Sequence, residues 1–383
     1  MLFFHNGLKV RDYAPYEKYT IYYAIRRKTM LHPIIGTLDT IKTLQGKSAT
    51  FMLAMSNTAT ADIPGITQAG IPGMLHLTPV LDAEFLTTGA VHSLENIAET
   101  PKGVPTPALI TRAMHLLHPF AHIELLDLGL KITPKTDAPI HGFDIPPSGN
   151  IAQDCNIDAK AVFEKGIAFG QSYELQDDYL ILAESVPSGT TTATATALAL
   201  GFDARNFFSS SFKNVPNDIR QTTIDKALLR IEDTEDIFAK LGKVSDNMLL
   251  FVAGFLLGVD DRFPVVLAGG TQMAAALLVA DAITQHYPQY RQQNTLKPML
   301  ATTKWVADDA HSDIAALLAM PNFPVNACYS DFDFSQATHP ALKLYDDGEA
   351  KEGVGAGGAL TYGMMNDLTK EGITVQVEKF LGL

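Results

Sequence analysis

The amino-acid sequence predicts an α/β protein with a doubly wound, mainly parallel, Rossmann-like sheet. Two segments carry that prediction. Residues 177–201, DDYLILAESVPSGTTTATATALALG, and 262–283, RFPVVLAGGTQMAAALLVADAI, each read as a buried strand, a Gly-containing turn and an Ala/Leu-rich helix. Repeated strand–turn–helix units imply parallel strands with ligand loops at their carboxyl ends. A third segment, AKEGVGAGGAL at 350–360, places Glu352 before a run in which four of the next six residues are glycine: Gly353, Gly355, Gly357 and Gly358. Glycine tolerates positive φ and lets a ligand approach the backbone amides, so a carboxylate there can meet a substrate at short range.

The elements follow in order. Residues 1–45 mix charged and aromatic residues and give few strand signals. Residues 51–55 are apolar and read as a strand that enters a Gly/Pro-rich loop running through Gly73. Pro105 and Pro107 open a helix over 106–117, because proline is tolerated in a first turn. Residues 123–128 read as the next strand. Residues 132–156 are rich in Pro, Asp and Gly, which predicts an excursion or lid-like loop. A helix is expected over 159–171. Residues 179–183 read as a buried strand, with Glu184, Pro187, Ser188 and Gly189 forming the turn and a helix closing at Gly201. Residues 219–231 are amphipathic and helical, and 249–257 read as a buried helix. In the second unit, 264–268 is the strand, Gly269 and Gly270 the turn, Thr271 the N-cap, and Met273 starts the helix. A strand at 325–329 precedes the Glu352 loop.

A strand, a Gly turn and a helix N-terminus form an anion site, because free amides and the helix dipole both favour negative charge. Ser188, Gly189, Thr190 and Thr191 are the candidates in the first unit, and hydroxyls there add donors. Thr capping of a buried helix produces the same pattern. Gly269, Gly270 and Thr271 are the candidates in the second. No Lys follows the first Gly, so the motif is not a Walker A loop. His115, His118 and His122 lie close together, but Pro119 interrupts the helix between them and no metal is expected. Asp331 and Asp333, and likewise Ser335 and His339, follow a strand and fit either a nucleotide contact or turn chemistry. Ser209, Ser210, Ser211 and Lys213 read as a solvated loop within reach of a phosphate. No Gly-x-Ser-x-Gly elbow supports a hydrolase triad.

Taken together, these motifs resemble the nicotinate-nucleotide–dimethylbenzimidazole phosphoribosyltransferase family of cobamide (vitamin B12) biosynthesis, and within it the divergent archaeal and cyanobacterial-type branch. EGVGAGGAL is similar to the family's Glu-Gly-x-Gly-Ala-Ala motif, whose Glu is the catalytic base; the resemblance gives that role to Glu352. ESVPSGTTTA resembles the Glu-x-Gly-x-Gly-Asn-Thr-Thr segment, which implies a second active-site carboxylate at Glu184 and phosphate-binding amides at the turn. AGGTQMAA is similar to Gly-Gly-Phe-Glu-Ile-Ala-Ala. Arg220, in IRQTTIDKAL, falls where the family has a basic residue near the phosphate. Where the mainstream family has an Asp-His-Gly segment lining the base pocket, this chain reads Ser56, Asn57, Thr58, so the acceptor is either dimethylbenzimidazole or a purine. The resemblance implies nicotinate mononucleotide as donor, no cofactor, and a homodimer; the same Gly loops and Glu also fit another N-glycosyl transferase or nucleosidase, or a non-catalytic binding protein for a nucleotide or cobamide precursor. It also implies an α/β nucleotide- and base-binding domain at 46–340. A smaller, mainly helical domain would be built from 1–45 plus 341–383 and carry the Glu352 loop.

Composition narrows the remaining classes. With 383 residues, 46% hydrophobic and 19% charged, the chain has enough apolar material for a sizeable core. Its 29 basic against 42 acidic residues leave a net charge of −13, a poor footprint for nucleic acid or anionic lipid. An anionic substrate is then held by local amides rather than by the global field. Two cysteines, Cys155 and Cys328, form no framework, which predicts a reducing, cytoplasmic setting. The N-terminal apolar run is too short for a signal peptide, and the run 248–259 is too short for a membrane span.

Overall fold

Eight strands form one open sheet in the computed structural model of the chain, which describes residues 30–95, 99–232, 234–290 and 296–382. The strands are β1 (Leu31–Ile35), β2 (Ala49–Met55), β3 (His122–Asp127), β4 (Ile140–Gly142), β5 (Tyr179–Ser185), β6 (Val265–Ala268), β7 (Met299–Thr303) and β8 (Asn326–Ser330). Their order is β1-β8-β7-β6-β5-β2-β3-β4. All neighbours are parallel except β1, which pairs antiparallel with β8. From β2 the chain runs outward through β3 to β4. It then returns to the other side of β2 and runs outward through β5, β6, β7 and β8. The order therefore reverses between β2 and β5, where Ala54 pairs with Glu184 and Met55 with Ser185. In an open parallel sheet this switch point, at the carboxyl ends of the strands, is where a crevice forms.

Both central strands are buried along their whole length, because helices cover both faces. The helices that matter are α1 (Thr78–Thr88), α2 (Ala108–Leu117), α3 (Ala159–Ser172), α4 (Gly189–Ala199), α5 (Asn217–Leu228), α6 (Ile237–Val244), α7 (Asn247–Val259), α8 (Thr271–His286), α9 (Pro340–Asp346), α10 (Ala356–Met365) and α11 (Lys370–Phe380). Gly254 and Gly258 interrupt the apolar run of α7 and bring it against α3. A Cβ at either would lie 2.1 Å from the Phe163 carbonyl oxygen or 2.2 Å from that of Ile167. α10 packs on β6, β7 and β8 and against α2. Among the described residues no helix is long and apolar enough to cross a membrane.

The predicted α/β class and the two strand–turn–helix units are present, and several details differ. β1, β7 and α1 have no counterpart among the expected elements; each strand is only five residues long and offers little pattern. The 132–156 segment is no free excursion. It contributes the edge strand β4, and its Ser148 and Pro146 dock on Asn57 and Asn247 through hydrogen bonds. Glu184 lies inside β5 rather than in the turn, and Thr271 is the first residue of α8, with Gly270 as N-cap. The expected smaller unit falls partly on residues 1–29, outside the described residues. Of its described part, β1 extends the sheet edge and α9 to α11 are helical.

Candidate active site

One cavity opens at the carboxyl ends of β5 and β6, beside the switch point. β5 delivers Glu184 and Ser185 to its floor and continues into Pro187 and Ser188. Ser188 adopts φ 68°, a left-handed conformation rare for a side-chain-bearing residue. That turn starts α4 at Gly189 with no side-chain cap, and the buried Ser188 hydroxyl has no hydrogen-bond partner. α8 likewise begins at the cavity wall without a side-chain cap. Two helix N-termini without side-chain caps thus face one space, an arrangement suited to an anion, although the Gly189 and Thr191 amides of α4 already donate to the carbonyls of Val186 and Ser188. Gly189 leaves room for the Gln272 side chain on the first turn of α8, since a Cβ there would lie 2.2 Å from Gln272 Oε1. The 209–211 loop closes the same wall, with Ser209 donating its amide to Thr271 Oγ1 at 3.2 Å.

A third helix N-terminus is already occupied. Glu352 precedes α10, and its Oε1 accepts from the amides of Gly353 at 3.2 Å and Gly357 at 3.1 Å. Its Oε2 accepts from Thr303 N at 3.0 Å and Thr302 Oγ1 at 3.1 Å. Four donors hold the carboxylate in one orientation at the end of β7. The chain reaches this geometry through a strained turn: Ala350 and Val354 take φ of 49° and 51°, and Gly355 takes 66°. Gly357 and Gly358 then seat α10 directly on the sheet. A Cβ at Gly357 would be 2.2 Å from the Thr302 carbonyl carbon, and one at Gly358 would be 2.3 Å from Ala268 Cβ.

Electrostatically the cavity is a carboxylate cluster. Burial pushes Glu352 up to about 7, although its four hydrogen bonds pull the other way. Glu184, 4% exposed, is pushed up to about 8 by burial and then by the neighbouring charges of Glu352, Asp246 and Asp82. Asp82 on α1 lines the same cavity and accepts from Thr106 Oγ1 at 2.6 Å and Ser185 Oγ at 2.7 Å. Burial raises it to about 6 against those two bonds. Asp246 sits behind α4, accepting from the Thr192 hydroxyl and capping α7 through Leu249 N. Lys351 lines the cavity as well, but its ammonium donates to the carbonyls of Ser210 and Phe212 and lies 3.5 Å from Asp309. Glu349 ties the rim together by accepting from Gln68, Lys102 and the Lys213 amide.

The structure brings together Glu352, Glu184, Ser188, Gly189, Thr190, Gly270, Thr271 and Gly353 around one space. Thr191, Gly269 and Gly355 lie behind it in the packing. Arg220 does not line it. Its guanidinium donates to the carbonyls of Phe208 and Thr190 and to Thr194 Oγ1, which fastens α4 to the loop before Ser209. Ser56, Asn57 and Thr58 do not line it either; Asn57 bonds to His76 O and Lys131 N, and Thr58 to Gly149 O. Ser209, Ser210 and Ser211 are wall residues rather than solvated ones. Asp331 and Asp333 pair with Lys304 and Lys370, Ser335 bonds to Asp333, and His339 caps α9. His115 accepts from Phe120 N, His118 packs on Tyr362, and His122 pairs with Asp177. Cys155 and Cys328 are buried free thiols. Sequence reasoning missed Asp82, Thr106, Ser185 and Gln272. For Asp82 the local signal is weak, because the mainly apolar stretch TPVLDAEFL holds a second acid, Glu84.

The sheet and cavity define a doubly wound α/β protein with a cavity beside the switch point. The chain belongs to the UPF0284 family. It is 36% identical over 333 residues to a UPF0284 protein of Sulfurisphaera tokodaii, covering 86% of this chain and 92% of that one. It is also 36% identical over 348 residues to one of Archaeoglobus fulgidus, covering 90% and 96%. No family model matches. Among solved structures it is similar to nicotinate-nucleotide-dimethylbenzimidazole phosphoribosyltransferase from Thermus thermophilus, with TM-score 0.53, 16% identity, and 86% of this chain and 82% of that chain covered. The fold implied by the resemblance read in the glycine motifs is the one this neighbour shares.

Proposed function

We propose that the protein transfers a phosphoribosyl group from nicotinate mononucleotide to a ring nitrogen of a heterocyclic base, giving an α-ribosyl nucleotide and nicotinate. The observation that carries the reading is the meeting of Glu352 and Glu184 in one cavity with two uncapped helix N-termini. The donor phosphate sits at the positive ends of α4 and α8, with the free Ser188 hydroxyl as a donor. The ribosyl carbon and the departing pyridinium carry positive charge, which the ionised form of Glu352 faces, while Glu184, pushed up to about 8, is mainly a neutral carboxyl near neutral pH. The bond from ribose to the pyridinium nitrogen breaks, and its electron pair leaves with nicotinate. The unprotonated ring nitrogen of the acceptor attacks the opposite face, and the proton of the ring N–H passes to a Glu352 oxygen as the neutral product forms. A carboxyl pushed up to about 7 is matched to taking a proton near neutral pH. Holding both substrates in one enclosed space contributes the rest through positioning. The shared fold with the Thermus enzyme agrees with this chemistry. Assembly into a homodimer, a cytoplasmic location and use of the product in cobamide synthesis belong to the same proposal.

The test is incubation with nicotinate mononucleotide and a panel of bases, including none, with mass detection of the product. An α-ribosyl nucleotide supports the reading. Release of nicotinate only, at a rate no base changes, replaces it with hydrolysis. Recovery of the donor unchanged with every base refutes both.

A further inference from the structure

We propose that Asp82 selects the acceptor by accepting a hydrogen bond from an amino group carried by the heterocycle, so that amino-bearing rings are preferred to the same rings without it. This rests on the phosphoribosyl-transfer reading for the identity of the acceptor. The argument starts from the shape of the cavity. The N-termini of α4 and α8 lie on one side, while the wall toward α1 and α2 carries Val104, Pro105, Pro107 and Val354, interspersed with the hydroxyls of Thr78, Thr100 and Thr106. A slot of branched aliphatic and proline side chains accepts a flat aromatic ring and leaves the phosphate to the other end. Glu352 borders both halves: Gly353 packs toward Pro107, with an ideal Cβ 3.5 Å from the proline Cγ, and Thr111 Oγ1 bonds to Val354 O at 2.7 Å.

Asp82 is the buried carboxylate of that half; Glu99, the other acid there, is exposed. Asp82 is 3% exposed and lines the cavity. One oxygen accepts from Thr106 at 2.6 Å and the other from Ser185 at 2.7 Å. Two hydroxyls from two different elements therefore fix the carboxylate plane. An ionised carboxylate offers about four lone-pair directions, so roughly two remain after those bonds. Burial raises Asp82 to about 6, so it remains mainly an ionised acceptor at neutral pH. A desolvated acceptor facing an apolar slot discriminates strongly, because a ring without the matching donor leaves it unsatisfied.

The experiment compares adenine with purine, and 4-aminobenzimidazole with benzimidazole. Binding is measured by calorimetry on the full-length protein with nicotinate mononucleotide present, and turnover by product mass. In the wild type the amino member of each pair binds about ten- to a hundredfold more tightly. In Asp82→Asn the two members bind alike, while Thr106→Val, which keeps the carboxylate, retains the preference. Equal binding within each pair in the wild type overturns the proposal without recourse to any variant. So does a preference that survives intact in folded Asp82→Asn. The two readouts separate the ideas. Preferential binding that depends on Asp82, with no transfer to any base, supports the recognition role and sinks the transfer reading; transfer to all four bases without preference does the reverse.

Discussion

The backbone amide of Val354 donates to the backbone carbonyl of Glu184 at 2.9 Å. That bond ties the glycine-rich turn after β7 and β8 to the central strand β5. Two acidic residues 168 positions apart in the chain thereby share one cavity. Their proximity is also energetic, since the charge of Glu352 helps to push Glu184 up to about 8.

Glu352→Gln is expected to lower turnover about a hundred- to ten-thousandfold while leaving the affinity for nicotinate mononucleotide close to wild type. A general base acts only as the proton leaves, so its loss falls on kcat rather than on donor binding. Steady-state kinetics with the accepted base, paired with donor calorimetry, checks this. Wild-type turnover in the variant places the base elsewhere.

The acidic limb of the kcat profile should have an apparent midpoint near pH 7. A carboxylate base is inactive when protonated, so the rate falls as pH drops through the value to which burial raises Glu352. Because Glu184 and Glu352 interact, the midpoint belongs to the pair rather than to either residue. Rates measured from pH 5 to 9 decide it; a limb centred near the ordinary carboxylate value of 4.5 contradicts the buried cluster.

Glu184→Gln should gain stability relative to wild type as pH rises. The native carboxyl is raised to about 8 from the usual 4.5, so the folded protein holds a proton that the unfolded chain releases. Its stabilising contribution is full below about 4.5 and is lost as pH climbs through 8. The glutamine does not titrate. The melting temperature of the variant minus that of wild type should therefore be a few degrees larger at pH 9 than at pH 4.5. An equal difference at both pH values defeats this account.

Two glycine substitutions should separate ligand binding from packing. In Gly189→Ala the new methyl meets the tip of the Gln272 side chain, which can swing away, so the fold survives and donor affinity falls by about tenfold or more. In Gly357→Ala the methyl meets the backbone of Thr302, which cannot yield, and stability drops by about 1–3 kcal/mol. Thermal melts and donor titrations on both variants test the contrast; equal melting temperatures for the two would show that α10 has room on the sheet.

The α/β class, the order of the two strand–turn–helix units and the acidic Gly-rich turn were all legible in the chain, because each is a local pattern. Apolar β-branched runs, glycine turns and Ala/Leu helices lie within a few residues of one another. Glu184 and Glu352 could be singled out for the same reason, each standing beside a glycine turn. Only tertiary structure decided which residues face the ligand space. Arg220 looks like a phosphate cation by its place in the sequence, yet it spends its donors on the carbonyls of Phe208 and Thr190. Asp82 looks like an ordinary helical acid, yet it lines the cavity against Thr106 and Ser185. Lys351 adjoins Glu352 in sequence but is committed to Asp309 and two carbonyls. The physical reason is that a side chain's role depends on what desolvates it and which donors or acceptors it meets. Those neighbours come from strands and loops tens to hundreds of residues away, where local patterning carries no information.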